Sequence, residues 1–432
     1  MAKNLRTGLR QSIRASSKAG VTGGGIFSLA PLDLRFALLK TLDPRVTFTR
    51  ASTGTFVGSD GVLRSATTNE ARFDHNPTTG ESLGLLVEEA RTNLLLQSED
   101  LSTSWANTNT SETTNTATAP DGTTTADKLI EAATTTEHSI RQDSSSQAAG
   151  TYTFSIFAKA AERTFLQFAA TGVLGSFRAN FNISTGILGS SDSELIASIV
   201  SYGNGWYKCI VTRTTTATGA LRSQWNIVTS SSSARVESYA GDGTSGLFLW
   251  GAQLETGAFP TSYIPTTTAT ATRAADVASI TGTAFSSFYN QTEGTIYSVA
   301  TATSSTNSDS TATAVGIAAF TDGTNSERIR YGALTFSTVW VDNNTSQANL
   351  SSGTFTQNQQ VNLASAFKIN DFALVRDGGS VQTDATGTLP TLSQVELGRS
   401  GVGTGFFSGT IKRLTYFPVR LPNPTLQAIT QP

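Results

Sequence analysis

Short segments of alternating apolar and polar residues recur along most of the chain. In residues 151–159 (TYTFSIFAK), the apolar side chains of Tyr152, Phe154 and Ile156 alternate with mostly polar ones. A period of two is typical of a β-strand with one buried face. Four more such segments follow before residue 267, separated by Asn-Gly and Asp-Gly turn signals. The pattern predicts a jelly-roll-like β-sandwich over residues 98–267.

A second series of strand-like segments follows the Thr-rich stretch 266–272, whose composition is typical of a domain boundary. Asn423 followed by Pro424 predicts one short helix near the end of the chain. We therefore expect an all-β protein made of two tandem β-sandwiches, the second concanavalin-like or laminin-G-like. The expected divisions are an extended anchoring arm at 1–47, a junction segment at 48–97, and sandwiches at 98–267 and 268–432.

The N-terminal segment differs in charge from the rest of the chain. Residues 1–45 carry eight basic and two acidic residues, a net charge of +6, whereas the whole chain has a net charge of -2. The near-neutral body gives no field that favours nucleic acid. We predict that the segment is an arm that attaches to a partner, with Arg6, Arg10 and Arg14 as its anchoring residues.

The cysteine content and the hydropathy of the chain indicate the cell compartment in which it folds. The single cysteine, Cys209, cannot form an intramolecular disulfide. No stretch approaches the ~20 apolar residues that a membrane-spanning helix needs. We expect synthesis in a cytoplasm and no membrane insertion.

The junction segment combines charges of both signs with apolar runs. Glu88 and Glu89 are neighbours, so on a strand they point to opposite faces and cannot flank one glycosidic bond. Nearby arginines would lower carboxylate pKa values, the wrong direction for a general acid. We predict structural ion pairs rather than catalysis, and no enzyme. The residues expected in these pairs are Arg50, Arg72, Arg91, Asp74, Glu88 and Glu89.

Other candidate sites are sparse. The two histidines, His75 and His138, lie in polar, turn-like surroundings without a second ligand at metal spacing. The sequence offers no catalytic residues, no cofactor motif and no metal site beyond two weak calcium candidates, Asp121 and Asp242 in Asp-Gly turns, which plain turns explain as well. The carbohydrate-binding candidates are Trp225, Trp340 and Tyr331; a half-buried strand position is the alternative for the tryptophans.

Three sequence blocks resemble proteins of known families. Residues 48–105, with FTRAS, ARFDHN and GLLVEEARTNL, resemble a block found in tailed-bacteriophage virion proteins. NGWYK at 204–208 and WGAQLETGAFPTSYIPTT at 250–267 are similar to the carbohydrate-binding-like module of phage head-spike and tail-fibre proteins. FKINDFALVRDGG, VELGR and GFFSGTIKRLTYFPVRLPNPTLQAI, within residues 367–429, resemble a concanavalin-like or laminin-G-like sandwich.

The resemblance implies a structural virion protein, a fibre or spike that attaches by its N-terminus and binds host surface glycans. It implies a homotrimer on the virion surface, in contact with capsid, portal, tail-adaptor or baseplate proteins, and leaves head or tail open. The alternatives are a capsid-decorating, shell-stabilising protein and a tailspike glycan depolymerase.

Overall fold

The computed structural model describes residues 24–303, 316–332, 336–353, 356–401 and 404–432. Arg6, Arg10 and Arg14 lie outside the described residues, so their anchoring role stays a prediction. The expected fold class is confirmed: the described chain is built from antiparallel sheets arranged as two β-sandwiches. The order in which the chain passes through the two sandwiches differs from the expected tandem arrangement.

Seven strands precede the first complete sandwich. They are β1 Leu32–Leu34, β2 Thr47–Thr49, β3 Gly54–Val57, β4 Leu63–Ala66, β5 Arg72–His75, β6 Ser82–Val87 and β7 Arg91–Asn93. The next strands, which form that sandwich, are β8 Ala106–Thr108, β9 Thr110–Ala117, β10 Ala126–Glu131, β11 Thr135–Thr136, β12 His138–Gln147, β13 Gly150–Ala160, β14 Phe165–Ala169, β15 Arg178–Asn182, β16 Ile187–Ser191, β17 Ile196–Ser201, β18 Trp206–Thr215, β19 Gly219–Val228, β20 Tyr239–Ala240 and β21 Gly246–Thr256.

The C-terminal third contributes the remaining strands. They are β22 Ala271–Arg273, β23 Val277–Thr281, β24 Glu293–Ala302, β25 Ala318–Thr321, β26 Arg328–Tyr331, β27 Ser337–Asp342, β28 Thr345–Ser351, β29 Gln360–Lys368, β30 Asp371–Arg376, β31 Gln382–Asp384, β32 Gln394–Leu397, β33 Arg399–Gly401, β34 Thr404–Phe406 and β35 Gly409–Phe417. The α-helices are α1 Gly24–Phe27, α2 Phe36–Leu39, α3 Gly282–Ser286 and α4 Asn423–Ile429, and Gly172–Leu174 is a short 3-10 helix. None of the helices in the described part of the chain has the length and hydropathy to cross a membrane.

The sandwich of β8–β21, called here the inserted sandwich, packs two six-stranded sheets face to face. Their orders are β17-β18-β13-β21-β10-β9 and β16-β15-β14-β19-β12-β8. The predicted alternation in β13 holds on its inner face, where Phe154 and Ile156 are fully buried in the core. The other face of β13 is also buried, because Phe157 packs there in a second apolar cluster with Trp206, Trp250 and Leu63 of strand β4.

The second sandwich, called here the outer sandwich, draws strands from both ends of the chain. One sheet has the order β31-β30-β29-β24-β35-β6-β5, and β1 also pairs with β35; the other has the order β2-β23-β32-β25-β26-β27-β28. Strands β1 and β6 share one edge of β35, since Leu32 lies opposite Tyr416 and Val87 lies opposite Gly409. Strand β6 lies so close to β35 that a Cβ on Gly84 would meet the Ile411 carbonyl oxygen at 2.2 Å.

The inserted sandwich therefore interrupts the outer one. The chain leaves the outer sandwich through β7 and returns through β22, and these strands pair with Arg91 opposite Arg273. Residues 32–47 are not part of an extended arm, which corrects the predicted boundary. Leu32, Leu34 and Phe36 are at most 2% exposed, because they belong to the core of the outer sandwich together with Leu85, Val87 and Leu414.

Candidate functional site

A buried charge cluster lies where the chain passes between the two sandwiches. Asp276 Oδ1 is 3.0 Å from Arg50 Nη1, and Asp276 Oδ2 is 2.5 Å from Arg72 Nη2. The Glu88 amide donates a hydrogen bond to the same Oδ2 at 2.9 Å. All three ionic side chains, Arg50, Arg72 and Asp276, are 0% exposed. Asp276 thus pairs with two guanidinium groups whose side chains are not exposed to water, and its single negative charge offsets only one of their two positive charges.

Glu88 is the second centre of the cluster. Its carboxylate lies 2.8 Å from Arg72 Nη2 and 3.5 Å from Arg273 Nε. It also accepts hydrogen bonds from the Ser262 amide and hydroxyl, both at 2.7 Å. Burial alone would raise the pKa of Glu88, but Arg273 and Arg72 outweigh burial and hold the pKa at about 2. Glu88 is therefore ionised and fully engaged with protein groups.

The predicted ion pairs form in part. Arg72 pairs with Glu88, and Arg91 lies 2.5 Å from Glu89. Arg50 pairs instead with Asp276, and Asp74 takes part in no ion pair among the described residues. The predicted set lacked Arg273 and Asp276, which lie nearly 200 residues further along the chain. One signal for them exists: they are the only charged residues between 257 and 292.

A cleft of about 580 Å³ opens beside this cluster, between the two sandwiches. One wall consists of β5, β6, β24 and β35 of the outer sandwich, and the other of β17 and β18 of the inserted sandwich. Side chains at the cleft include aromatic rings, amides, hydroxyl groups and charges of both signs. Representative lining residues are Phe56, Asp74, Tyr202, Lys208, Asn358, Gln360 and Lys412.

Asp74 is the titratable group of the cleft that differs most from expectation. Burial raises its pKa to about 6, and the Val57 amide, which donates to Asp74 Oδ1 at 2.7 Å, opposes that rise only in part. The sequence-based inference that nearby arginines would lower carboxylate pKa values is wrong for Asp74. The reason is geometric, because Arg50 and Arg72 direct their guanidinium groups to Asp276 and Glu88 instead.

Lys208 and Tyr202 are the neighbouring polar groups. Lys208 Nζ donates to the Thr261 carbonyl oxygen at 3.2 Å and lies 5.6 Å from the centre of the Phe157 ring. Burial lowers the Lys208 pKa, against the opposing effect of Glu255 and Glu88. The Tyr202 side chain makes no hydrogen bond within the described residues, and burial and nearby Asp74 raise its pKa. The Tyr202 hydroxyl is thus neutral and free to bond a ligand.

Replacing Asp74 with asparagine is expected to stabilise the protein at pH 7–8 and to leave stability unchanged near pH 4. The pKa of Asp74 rises from 3.8 to about 6 on folding, so the folded chain holds the proton more tightly and wild-type stability falls as pH rises from 4 to 6. We expect a gain of about 1–2 kcal/mol for D74N, less than a two-unit shift would give, because the cleft admits solvent. Urea denaturation of wild type and D74N from pH 4 to 8 measures the difference between their free energies of unfolding.

Asp143 provides the matched control for this experiment. Its hydrogen bond with Arg222 lowers the Asp143 pKa, so Asp143→Asn should cost stability above pH 4, the opposite sign. A difference between wild type and D74N that does not change with pH would contradict the assignment to Asp74.

The three predicted carbohydrate-binding residues are buried, so that prediction is wrong. Trp225, Trp340 and Tyr331 are each 0% exposed. Trp225 packs on Phe168, and the Tyr331 hydroxyl donates to the Leu363 carbonyl oxygen at 2.6 Å. Their polar sequence neighbours lie on the opposite face of the same strands, as alternation requires. None of the three rings can stack on a sugar without unfolding its sandwich.

The weak calcium candidates are turn residues. Asp121 Oδ1 accepts hydrogen bonds from the Thr123 amide and hydroxyl at 2.9 and 2.7 Å. Asp242 Oδ1 accepts from the amides of Thr244 and Ser245 at 2.8 and 2.7 Å. Within the described ranges, no group of three or more His, Cys, Asp and Glu side chains is placed to hold a metal ion. These carboxylates serve to close turns.

Both histidines are buried on strands, not exposed in turns as expected. His75, on β5, is 5% exposed and His138, on β12, is 0% exposed. His75 Nδ1 lies 2.9 Å from the Val57 carbonyl oxygen, and His138 Nδ1 lies 2.8 Å from that of Asn109. Each histidine ring thus links its own strand to the backbone of another segment of the chain.

The matches between this chain and known proteins are all to solved structures. No protein-family model and no curated protein matches the sequence. The CBM40 module of a Ruminococcus gnavus sialidase, bound to α2,3-sialyllactose, is 17% identical with a TM-score of 0.28, covering 33% of this chain and 84% of its own. Domain 4 of the arabinanase AbnA from Geobacillus stearothermophilus, in complex with arabinotriose, is 13% identical with a TM-score of 0.26, covering 40% and 81%.

Domains LG4-5 of the mouse laminin α1 chain are 10% identical with a TM-score of 0.23, and the match covers 64% of this chain and 89% of the laminin fragment. All three are β-sandwich modules. At these identities the likeness concerns the fold alone.

Proposed function

We propose that this chain is a structural protein of a tailed-phage virion, a fibre or spike that attaches by its N-terminal segment and binds host surface glycans without cleaving them. The cleft between the sandwiches is the proposed glycan site, and its lining is the observation that carries the proposal. Its volume of about 580 Å³ lies within the ~300–1,000 Å³ of typical small-ligand sites.

The polar groups of the cleft match the chemistry of a sugar. The side chains of Tyr202, Asn358 and Gln360 line it and make no hydrogen bonds among the described residues. Together they offer hydroxyl and amide groups that both donate and accept, as sugar hydroxyls require. The ring of Phe56 provides an apolar surface for the carbon face of a sugar. Several copies on one particle would convert weak single contacts into firm adhesion.

The virion assignment is supported by the sequence blocks that resemble phage proteins. The two specific blocks, 48–105 and 250–267, lie far apart in sequence but contact each other directly. Thr55 Oγ1 donates to the Tyr263 carbonyl oxygen at 2.6 Å, and Asn93 Nδ2 donates to that of Ile264 at 2.9 Å. A requirement to build this one junction explains why the two blocks would occur together.

Binding without catalysis is supported by the state of the carboxylates. A glycosidase of the common type needs two available carboxyl groups about 5–9.5 Å apart. Of the two carboxylates that line the cleft, Asp74 has the raised pKa of a general acid, whereas Glu88 is held by Arg72, Arg273 and Ser262. The depolymerase alternative remains testable: new reducing ends after incubation with host polysaccharide would contradict the binding-only proposal.

Replacing both Tyr202 with phenylalanine and Gln360 with alanine is expected to weaken glycan binding at least tenfold. Each change removes a group that lines the cleft without disturbing a protein hydrogen bond, and each lost ligand bond costs about 1 kcal/mol. A glycan array identifies the ligand, and calorimetry then measures its Kd. Gln359→Ala is the matched control, because Gln359 is exposed beside Gln360 but does not line the cleft. Unchanged affinity in the double variant would rule out the cleft.

The virion role has its own test. Antibody against the inserted sandwich should label purified particles at their surface, and electron microscopy would distinguish head from tail and count the copies in each appendage. If the chain is a capsid-decorating protein instead, deletion of residues 1–23, which leaves strand β1 and its core residues in place, should weaken particles rather than adsorption. Absence of label from intact particles would contradict the virion assignment.

A further inference from the structure

Two arginines on one face of strand β26 have no charged partner in the part of the chain that the structure describes. Arg328 and Arg330 are separated by one residue, so their side chains leave the strand on the same face, while Ile329 and Tyr331 point into the core. Both are half-buried. Arg328 Nη1 donates to the Asn325 side-chain oxygen at 2.6 Å, whereas the Arg330 side chain makes no hydrogen bond or ion pair with any described residue.

The described residues around Arg328 and Arg330 partly exclude water from the two side chains but place no carboxylate against them. The Nε atoms of Arg328 and Arg330 are both buried and lack an acceptor. Burial lowers the pKa of both groups, and Arg330 lowers that of Arg328 further. Elsewhere in the described chain, partly buried arginines such as Arg163 and Arg178 pair with carboxylates. Two adjacent, partly desolvated cations without a counter-charge are unfavourable.

The adjoining hairpin β33–β34 shapes the space around them. Strand β33 packs on β25 and β26, and a Cβ on Gly401 would meet Arg328 Nη1 at 2.9 Å. Arg399, on the same hairpin, stacks on Phe406 and lies 3.6 Å from Glu396. Glu396, on the nearby strand β32, therefore already has a cationic partner.

We infer that Arg328 and Arg330 form an oxyanion-binding site on the outer sandwich, for the carboxylate or sulfate group of an acidic sugar. A guanidinium group binds such an anion through two parallel hydrogen bonds. A bound oxyanion supplies acceptors for the two unsatisfied Nε–H groups and the missing negative charge. The site lies apart from the cleft, and it does not depend on glycan binding there.

Thermal unfolding and calorimetry with glucuronate, sulfate and glucose at matched ionic strength test the inference. Wild type should bind glucuronate with a millimolar or lower Kd and melt at a higher temperature in its presence, whereas glucose has no effect. Arg330→Met keeps the length of the side chain but not its charge, and it should weaken glucuronate binding at least tenfold. Sulfate stabilises proteins in general. The part of its effect that is due to the site is therefore the rise in melting temperature of wild type minus that of R330M.

The same variant gives a second readout. In chloride buffer R330M should melt at or above the wild-type temperature, since an uncompensated cation has been removed. Arg222→Met, which breaks the exposed pair with Asp143, should keep wild-type anion binding, as should the cleft variant Tyr202→Phe with Gln360→Ala. If R330M does not fold, Arg328→Met replaces it. Equal binding of glucuronate and of sulfate by wild type and R330M, or no binding of either anion by wild type, would overturn the inference.

Discussion

Replacing Asp276 with asparagine is expected to lower the free energy of unfolding of the outer sandwich by about 3–5 kcal/mol, the usual cost of removing one partner from a buried ion pair. The Asp276 carboxylate forms ion pairs with both Arg50 and Arg72, whose side chains are 0% exposed. Asparagine keeps the size of the side chain but leaves two buried positive charges with Glu88 as their nearest counter-charge. The loss is a large share of the ~5–15 kcal/mol that stabilises a typical domain.

Urea denaturation followed by tryptophan fluorescence measures this change. Trp340 is the one tryptophan of the outer sandwich, because the other four lie between residues 105 and 250, so the difference in fluorescence from a Trp340→Phe background reports on the outer sandwich. Asp143→Asn is the control: it breaks a pair whose side chains are 33% and 44% exposed, and exposed pairs contribute only ~0–1 kcal/mol. A loss below 1 kcal/mol for D276N would show that the cluster is not needed for stability.

The sequence predicts the strands better than their partners. Alternation identified β13, β18 and β21 because a period of two reports which face of a strand is buried. It carries no information on which strand lies alongside. Strands β1 and β6 pair with β35, more than 300 residues away in sequence, and for this reason the sequence pattern alone places residues 32–47 in an arm.

The candidate site was predictable only where its residues are close in sequence. Arg72–Glu88 and Arg91–Glu89 were expected from their proximity in the junction segment and are present. Asp276 depends on the return of the chain through β22, which no local pattern encodes. The raised pKa of Asp74 depends on the packing of the inserted sandwich against β5, so the sequence predicts the wrong direction.

A chain of residues 268–432 alone is expected not to fold, although it contains most strands of the outer sandwich. It lacks apolar side chains that the N-terminal strands place in the core, and each contributes ~1.5–3 kcal/mol when buried. Their combined loss, about 10 kcal/mol or more, matches or exceeds the net stability of a typical domain. The missing core residues include Leu32, Leu34, Phe36, Phe48, Leu85 and Val87.

Restoring those strands without the inserted sandwich should restore folding. Arg91 lies directly opposite Arg273 in the β7–β22 pair, so an Asn-Gly turn can join residue 91 to residue 273 as a two-residue hairpin loop. Circular dichroism and amide-proton dispersion in NMR spectra then compare 24–91 joined to 273–432 with 268–432 alone. The joined chain should unfold cooperatively, since its β2–β23 and β6–β35 pairings are intact. Cooperative unfolding of 268–432 alone would mean that the N-terminal strands only cover a sandwich that is already complete.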